Sequence, residues 1–157
     1  PWATTGRFGG RKPNIITSLE LRSEEMEIIN LRIQEKYKKI EESEVRFEEY
    51  MLDDAEYAIV AFGSAARIAK KSIEIARSQG IKVGLLRPIT LWPFPTKEVQ
   101  KLGEKMKGIL SLEINAGQMV EDIRLAVAGR VPVQHFGRLG GIIPDPDEVV
   151  DAIKRLF

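Results

Sequence analysis

The residues of this chain best suited to chemistry stand where short apolar runs end. His135, the single histidine, leads into Phe136-Gly137-Arg138-Leu139-Gly140-Gly141, where a cation beside flexible backbone suits a phosphate group held in a nest of N–H groups. Gly63-Ser64 follows another apolar run, and a serine at a helix start offers a hydroxyl and free N–H groups to an anion. Arg87 has the planar fork that grips a carboxylate or phosphate. Glu113-Ile114-Asn115-Ala116-Gly117-Gln118 sets a carboxylate ahead of a glycine turn, where general acid–base work would need a second titratable partner. Each has a plainer reading: a helix cap at Ser64, a salt bridge for Arg87, hydrogen bonding that fixes a loop for Glu113, a structural histidine at His135, and a wide turn before Pro144 for the glycines around Arg138. Gly63, Ser64, Arg87, Gly137 and Arg138 are the candidate anion-binding residues, and no residue is assigned a catalytic role.

A different function is suggested by Pro88-Ile89-Thr90-Leu91-Trp92-Pro93-Phe94-Pro95. Three prolines stiffen this stretch, and its two large aromatic side chains suit docking against another subunit or domain. Trp92 and Phe94 are the candidate anchors, with folding back over the core as the alternative.

Composition removes several classes. The chain has no cysteine and one histidine, which rules out disulfides, thiolate nucleophiles and cysteine-held clusters on this polypeptide and leaves no histidine-based metal site. Its 24 Lys+Arg and 23 Asp+Glu leave a net charge of +1, with the signs interspersed, so nucleic acid is not the implied partner. No run approaches the roughly 18 apolar residues of a membrane helix, and a cytoplasmic protein is expected.

The elements that must position these residues follow from the periodicity. Residues 1–17 hold three glycines and two prolines and read as an extended lead-in. Residues 18–52 read as a helical linker: the stretch from Ser18 to about Met51 lacks Gly and Pro, and Met26, Ile29, Ile33, Tyr37 and Ile40 recur at helical spacing. From residue 53 to 157, apolar runs alternate with amphipathic stretches, the pattern of a parallel α/β sheet. Strands are expected at 57–62, 81–86, 109–114 and 131–135. Helices carrying Ile68, Ala69 and Ser72, then Val99, Leu102 and Met106, then Met119, Val120 and Ile123, and last Val149, Ile153, Leu156 and Phe157 complete four β–α units. Right-handed crossovers then build a three-layer αβα sandwich, whose ligand sites lie at the carboxyl ends of the strands.

Three pieces carry a resemblance to a known family: Asp54-Ala55-Glu56 through Gly63-Ser64, Leu86 through Pro95, and Glu113 through Gln118. Ala55 to Phe157 resembles the transketolase C-terminal-like domain of the α subunits of 2-oxoacid:ferredoxin oxidoreductases. The lead-in Pro1-Trp2-Ala3-Thr4-Thr5-Gly6 resembles the segment leaving the preceding pyrimidine-binding domain. The likeness implies a mostly parallel sheet of about five strands with one antiparallel edge, whereas periodicity finds only four. It also implies a multi-subunit enzyme that decarboxylates a 2-oxoacid on thiamine diphosphate with magnesium, passes electrons through iron–sulfur clusters to ferredoxin and releases an acyl-CoA. The β subunit and the other subunits would be the partners. This chain lacks the motifs for thiamine diphosphate and for a cluster, so it is expected to hold no cofactor and to act as scaffold and interface. The linker and the aromatic loop resemble the branched-chain (2-oxoisovalerate) or 2-oxoglutarate type, with the branched-chain type preferred.

Two rivals stand beside this reading. The C-terminal domain of a transketolase or 2-oxoacid dehydrogenase β subunit would share the fold, but usually carries an acidic residue where Phe94-Pro95 lies here. A stand-alone anion-binding module would use Gly63-Ser64 and Gly137-Arg138, yet would need neither lead-in nor linker.

Overall fold

The computed structural model describes residues 6–156, apart from Pro13 and Ile16. Pro1–Thr5 of the lead-in and Phe157 lie outside the described residues. The chain divides into two compact units after Lys38. The first contains a short 3-10 turn, Phe8–Gly10, and most of helix α1, Ser23–Ser43. No described helix is long and apolar enough to cross a membrane.

The second unit runs β1 (Phe47–Tyr50), β2 (Tyr57–Ala61), α2 (Gly63–Ser78), β3 (Val83–Pro88), α3 (Thr96–Lys105), β4 (Gly108–Glu113), α4 (Met119–Val127), β5 (Val133–Gly137) and α5 (Pro146–Lys154). Its five strands lie in the order β1-β3-β2-β4-β5. All neighbours are parallel except β1, which runs antiparallel along the edge of β3. The four expected strands all form, with ends shifted by at most two residues.

Alternation along the strands makes two cores. Ile59, Ala61, Leu85, Leu110 and Leu112 face α2 and α5, meeting Ala69, Ile73, Ala76, Val149 and Ile153. Ala58, Val60, Leu86 and Ile109 face the other way, onto Val99, Leu102 and Met106 of α3 and its end and Met119, Ile123 and Val127 of α4. A parallel sheet covered on both faces needs such two-sided apolar strands, and the three-layer sandwich is the result. α5 opens with Asp145 before Pro146: Asp145 accepts the N–H of Asp147 at 2.9 Å, while Glu148 accepts that of Asp145 at 3.1 Å, a capping box.

The expected helix from Ser18 to Met51 is corrected at both ends. It spans Ser23–Ser43, and the fifth strand, which periodicity did not find, is Phe47–Tyr50. The sequence Phe-Glu-Glu-Tyr has the composition of the helix before it. What makes it a strand is tertiary: Glu48 pairs in register with Arg87, and its carboxylate accepts bonds from Arg87 at 2.9 Å and from Lys70 of α2. Context of this kind overrides weak local propensity. The chain then passes over Gly84, where a Cβ would stand 2.7 Å from Leu52 Cδ2 and 2.8 Å from the carbonyl carbon of Met51. Arg77 clamps this crossing, donating to the carbonyls of Met51 at 2.7 Å and Val83 at 2.8 Å and to the carboxylate of Asp54.

Candidate functional site

The connection after β2 runs to β3 on one side, whereas the connection after its neighbour β4 runs to β5 on the other, so the direction reverses between β2 and β4. In an open α/β sheet, a crevice forms at the carboxyl ends beside such a reversal. A cavity of about 200 Å³ lies there, on the face covered by α3 and α4. Phe62 reaches it from the end of β2, Leu91 and Phe94 from the loop after β3, Glu113 from the end of β4, and Gln118, Met119 and Asp122 from the start of α4.

Glu113 is fully buried and is the polar centre of this corner. Its carboxylate accepts the hydroxyl of Ser111 at 2.8 Å and the backbone N–H groups of Gln118, Met119 and Val120 at 3.1, 2.9 and 3.0 Å. Helix α4 has no side-chain cap at Gln118, so a strand residue upstream satisfies its open N–H groups and meets the positive end of its dipole. Burial pushes the carboxyl up, but the bonds from Met119, Ser111 and Gln118 outweigh it and hold Glu113 below the usual carboxylate range. His135 Nε2 lies 3.9 Å from the Glu113 carboxylate, too far for a hydrogen bond, and this buried nitrogen has no hydrogen-bond partner among the described residues. The sequence placed no titratable group beside Glu113, because strand β5 brings His135 to β4 across 22 positions.

The five anion candidates do not converge on the cavity, and none of them lines it. Gly63 and Ser64 form the start of α2, whose N-cap position, Phe62, makes no side-chain cap. Gly63 has φ +56 with open space beside it, so the tight turn uses its conformational freedom. Arg87 is held by Glu48, and Arg138 by Glu148 of α5. The Lys70 and Arg87 bonds hold the Glu48 carboxyl below its usual range. Gly137 has a packing role: a Cβ there would collide with the carbonyl oxygen of Asn115 and stand 2.8 Å from His135 Cε1.

The two aromatic candidates separate. Trp92 is 54% exposed, with Ile89 and Leu91 beside it at 55% and 49%, while Phe94 packs against the α3/α4 core. The loop is tied down: Ile89 N–H donates to Arg46 at 2.9 Å, Arg46 N–H donates to Thr90 Oγ1 at 3.0 Å, and the Thr90 hydroxyl donates to the Pro93 carbonyl at 3.0 Å. This corner therefore offers a shallow apolar crevice beside a fixed, partly apolar loop. Its one buried acid is committed to holding a helix. Sequence reasoning singled out Phe94, Glu113 and Gln118, but did not bring Phe62, Leu91, Met119 and Asp122 to one place; their position at successive strand ends was the available signal.

Residues 55–149 match the family model described as pyruvate:ferredoxin oxidoreductase core domain II. The ketoisovalerate oxidoreductase subunit VorB of Methanothermobacter thermautotrophicus is 44% identical over 155 residues, covering 99% of this chain and 44% of that protein. The 2-oxoglutarate synthase subunit KorA of Methanothermobacter marburgensis is 31% identical over 104 residues, 66% of this chain and 28% of that protein. The chain thus spans less than half the length of these relatives. Among solved structures, 2-oxoglutarate:ferredoxin oxidoreductase from Magnetococcus marinus with 2-oxoglutarate, coenzyme A and succinyl-CoA bound matches with TM-score 0.76 at 21% identity, over 99% of this chain and 28% of that one. A split-gene transketolase, an inactive beta4 tetramer, matches with TM-score 0.61 at 14% identity, over 71% and 41%. These two likenesses show the fold.

Proposed function

The chain belongs to the pyruvate:ferredoxin oxidoreductase core domain II family, among the subunits of 2-oxoacid:ferredoxin oxidoreductases, and from that membership we propose that it is the scaffold and subunit-contact domain of the α subunit of an enzyme oxidising 2-oxoisovalerate to its acyl-CoA with reduction of ferredoxin. The observation that carries this reading is the 44% identity to a ketoisovalerate oxidoreductase subunit, sustained over 155 residues through lead-in, linker and α/β domain. The 2-oxoglutarate synthase subunit is 31% identical and covers 66% of the chain, which favours the branched-chain substrate. In this reading residues 1–17 leave a pyrimidine-binding domain, 18–52 form the linker and 53–157 the domain proper, with β1 laid on its edge from the linker.

The residues present do not fit the cofactors of such an enzyme. Iron–sulfur clusters need thiolates, and the chain has no cysteine. Among the described residues no group of three His, Asp or Glu is placed to hold a metal ion. Thiamine diphosphate with magnesium and the clusters are accordingly assigned to the rest of the enzyme, and ferredoxin and CoA are partners of the enzyme as a whole. The domain would act in the cytoplasm through its surfaces, with Trp92 on the fixed loop as an anchor for a neighbouring subunit or domain.

The test is to isolate the full-length protein with its partners from its native cells. Iron, acid-labile sulfide and thiamine diphosphate should copurify, and CoA-dependent dye reduction should be fastest with 2-oxoisovalerate. Faster turnover of 2-oxoglutarate would overturn the substrate, and a preparation free of iron and thiamine would overturn the function. The 157-residue chain alone should show no thiamine diphosphate binding by calorimetry.

A further inference from the structure

The β1–β3 ladder closes with Phe47 opposite Pro88. Just beyond it Arg46, the residue that leads from the linker into β1, takes hold of the loop that carries Trp92. Its carbonyl accepts the N–H groups of both Ile89 and Thr90, at 2.9 and 3.2 Å, so the ladder ends and the loop begins on one acceptor. Its own N–H donates to a side chain instead of a carbonyl, the Thr90 hydroxyl at 3.0 Å. A hydroxyl accepts and donates at once but has a single proton to give. Thr90 Oγ1 stands 3.0 Å from the Pro93 carbonyl oxygen and 3.4 Å from that of Arg46, and the shorter contact takes the proton. The result is a continuous relay, Arg46 N–H to Thr90 hydroxyl to Pro93 carbonyl, in which each bond polarises the next. Branching at Cβ stiffens the Thr90 side chain and keeps the hydroxyl at this junction.

The relay spans the turn that holds Leu91 and Trp92. Ile89, Leu91 and Trp92 are 55%, 49% and 54% exposed, whereas Pro93 and Pro95 are buried and Phe94 packs on the α3/α4 core. A half-exposed apolar side chain is only partly held by burial, so its direction depends on the backbone beneath it. Here that backbone is fixed from behind by the core and from the front by Thr90. A loop ordered before it meets a partner loses less entropy on docking.

We propose that Thr90 is the positioning residue of this loop, and that through its hydroxyl the seating of the linker at Arg46 and the posture of Trp92 are coupled. Trp92 as a subunit anchor rests on the function proposed above; the coupling is a property of the chain alone and is tested separately. In a Trp2→Phe background Trp92 is the single tryptophan. Thr90→Val, close in shape but without the hydroxyl, should add a fast nanosecond component to the anisotropy decay of Trp92. It should also speed amide hydrogen exchange at Arg46 by about tenfold, the weight of one lost hydrogen bond. Thr90→Ser should restore both, which a general packing role for the side chain would not predict. Unchanged Trp92 anisotropy in Thr90→Val would overturn the positioning role, and a loosened Trp92 with unchanged exchange at Arg46 would overturn the coupling to the linker. In the full-length protein, Thr90→Val should lower recovery of partner subunits and Thr90→Ser should restore it. Full recovery with Trp92→Ala would overturn the anchor while leaving the coupling intact.

Discussion

The carboxylate of Glu113, the last residue of β4, accepts the backbone N–H of Met119, the first residue of α4, at 2.9 Å. With Gln118 and Val120 also donating, one buried acid joins strand, turn and helix. Glu113→Gln should lower stability by about 1–3 kcal/mol, because the amide nitrogen places a donor among donors in a buried site. Chemical denaturation at neutral pH measures this.

The same group predicts a pH dependence. The Glu113 carboxyl is held below the usual carboxylate range in the folded chain and returns to that range on unfolding. The unfolded chain therefore binds its proton more readily. The stabilisation is fully present above the unfolded pKa and is lost as pH falls through the folded one. Denaturation midpoints of the native chain should fall with acidification below the glutamate range more than those of Glu113→Gln. Parallel pH profiles for the two proteins would refute the assignment.

Trp92 and Phe94 should respond differently to truncation. Phe94 packs on the α3/α4 core, so Phe94→Ala should cost about 1–3 kcal/mol of stability. Trp92, 54% exposed, should cost well under half as much, yet Trp92→Ala should weaken recovery of partner subunits in copurification from cells. A larger loss of melting temperature for Trp92→Ala than for Phe94→Ala would reverse these roles.

Arg77 spans two main-chain carbonyls, those of Met51 and Val83, and the carboxylate of Asp54. Arg77→Lys should recover little of the about 1–3 kcal/mol lost in Arg77→Ala, since one ammonium cannot reach acceptors arranged for a planar fork. Thermal unfolding of the two variants compares them directly.

Gly84 should not tolerate a methyl group. With Leu52 and the Met51 backbone against it, Gly84→Ala should destabilise by about 1–3 kcal/mol. Hydrogen exchange should show the loss concentrated in the β1–β3 pairing, because the added Cβ presses on the chain just after β1.

The extent to which sequence revealed this protein varies with the range of the interactions involved. Tyr57–Ala61 and Gly108–Glu113 were legible as strands because each is a short apolar run buried on both faces. The start of α5 was legible because Asp145 and Pro146 act within a single turn. Phe47–Tyr50 was not: its glutamates speak for helix locally, and only Arg87 and Lys70, distant in sequence, make a strand of it. The salt bridge expected of Arg87 had no legible partner, and Arg138 stood only as an anion candidate, since Glu48 and Glu148 become their neighbours through folding.

Local order and its limits explain both outcomes. Apolar periodicity, glycine and proline placement, and the absence of cysteine settled the α/β class, the order of the four β–α units, and the exclusion of thiolate chemistry, because these depend on residue type and on spacing within a turn or a strand. The antiparallel edge strand, the use of Glu113 as a helix cap, the approach of His135 to it, and the separation of Trp92 from Phe94 were decided by the tertiary structure. Each depends on which groups meet after the chain crosses the sheet, and a charge or an aromatic ring takes its role from the neighbour it meets there.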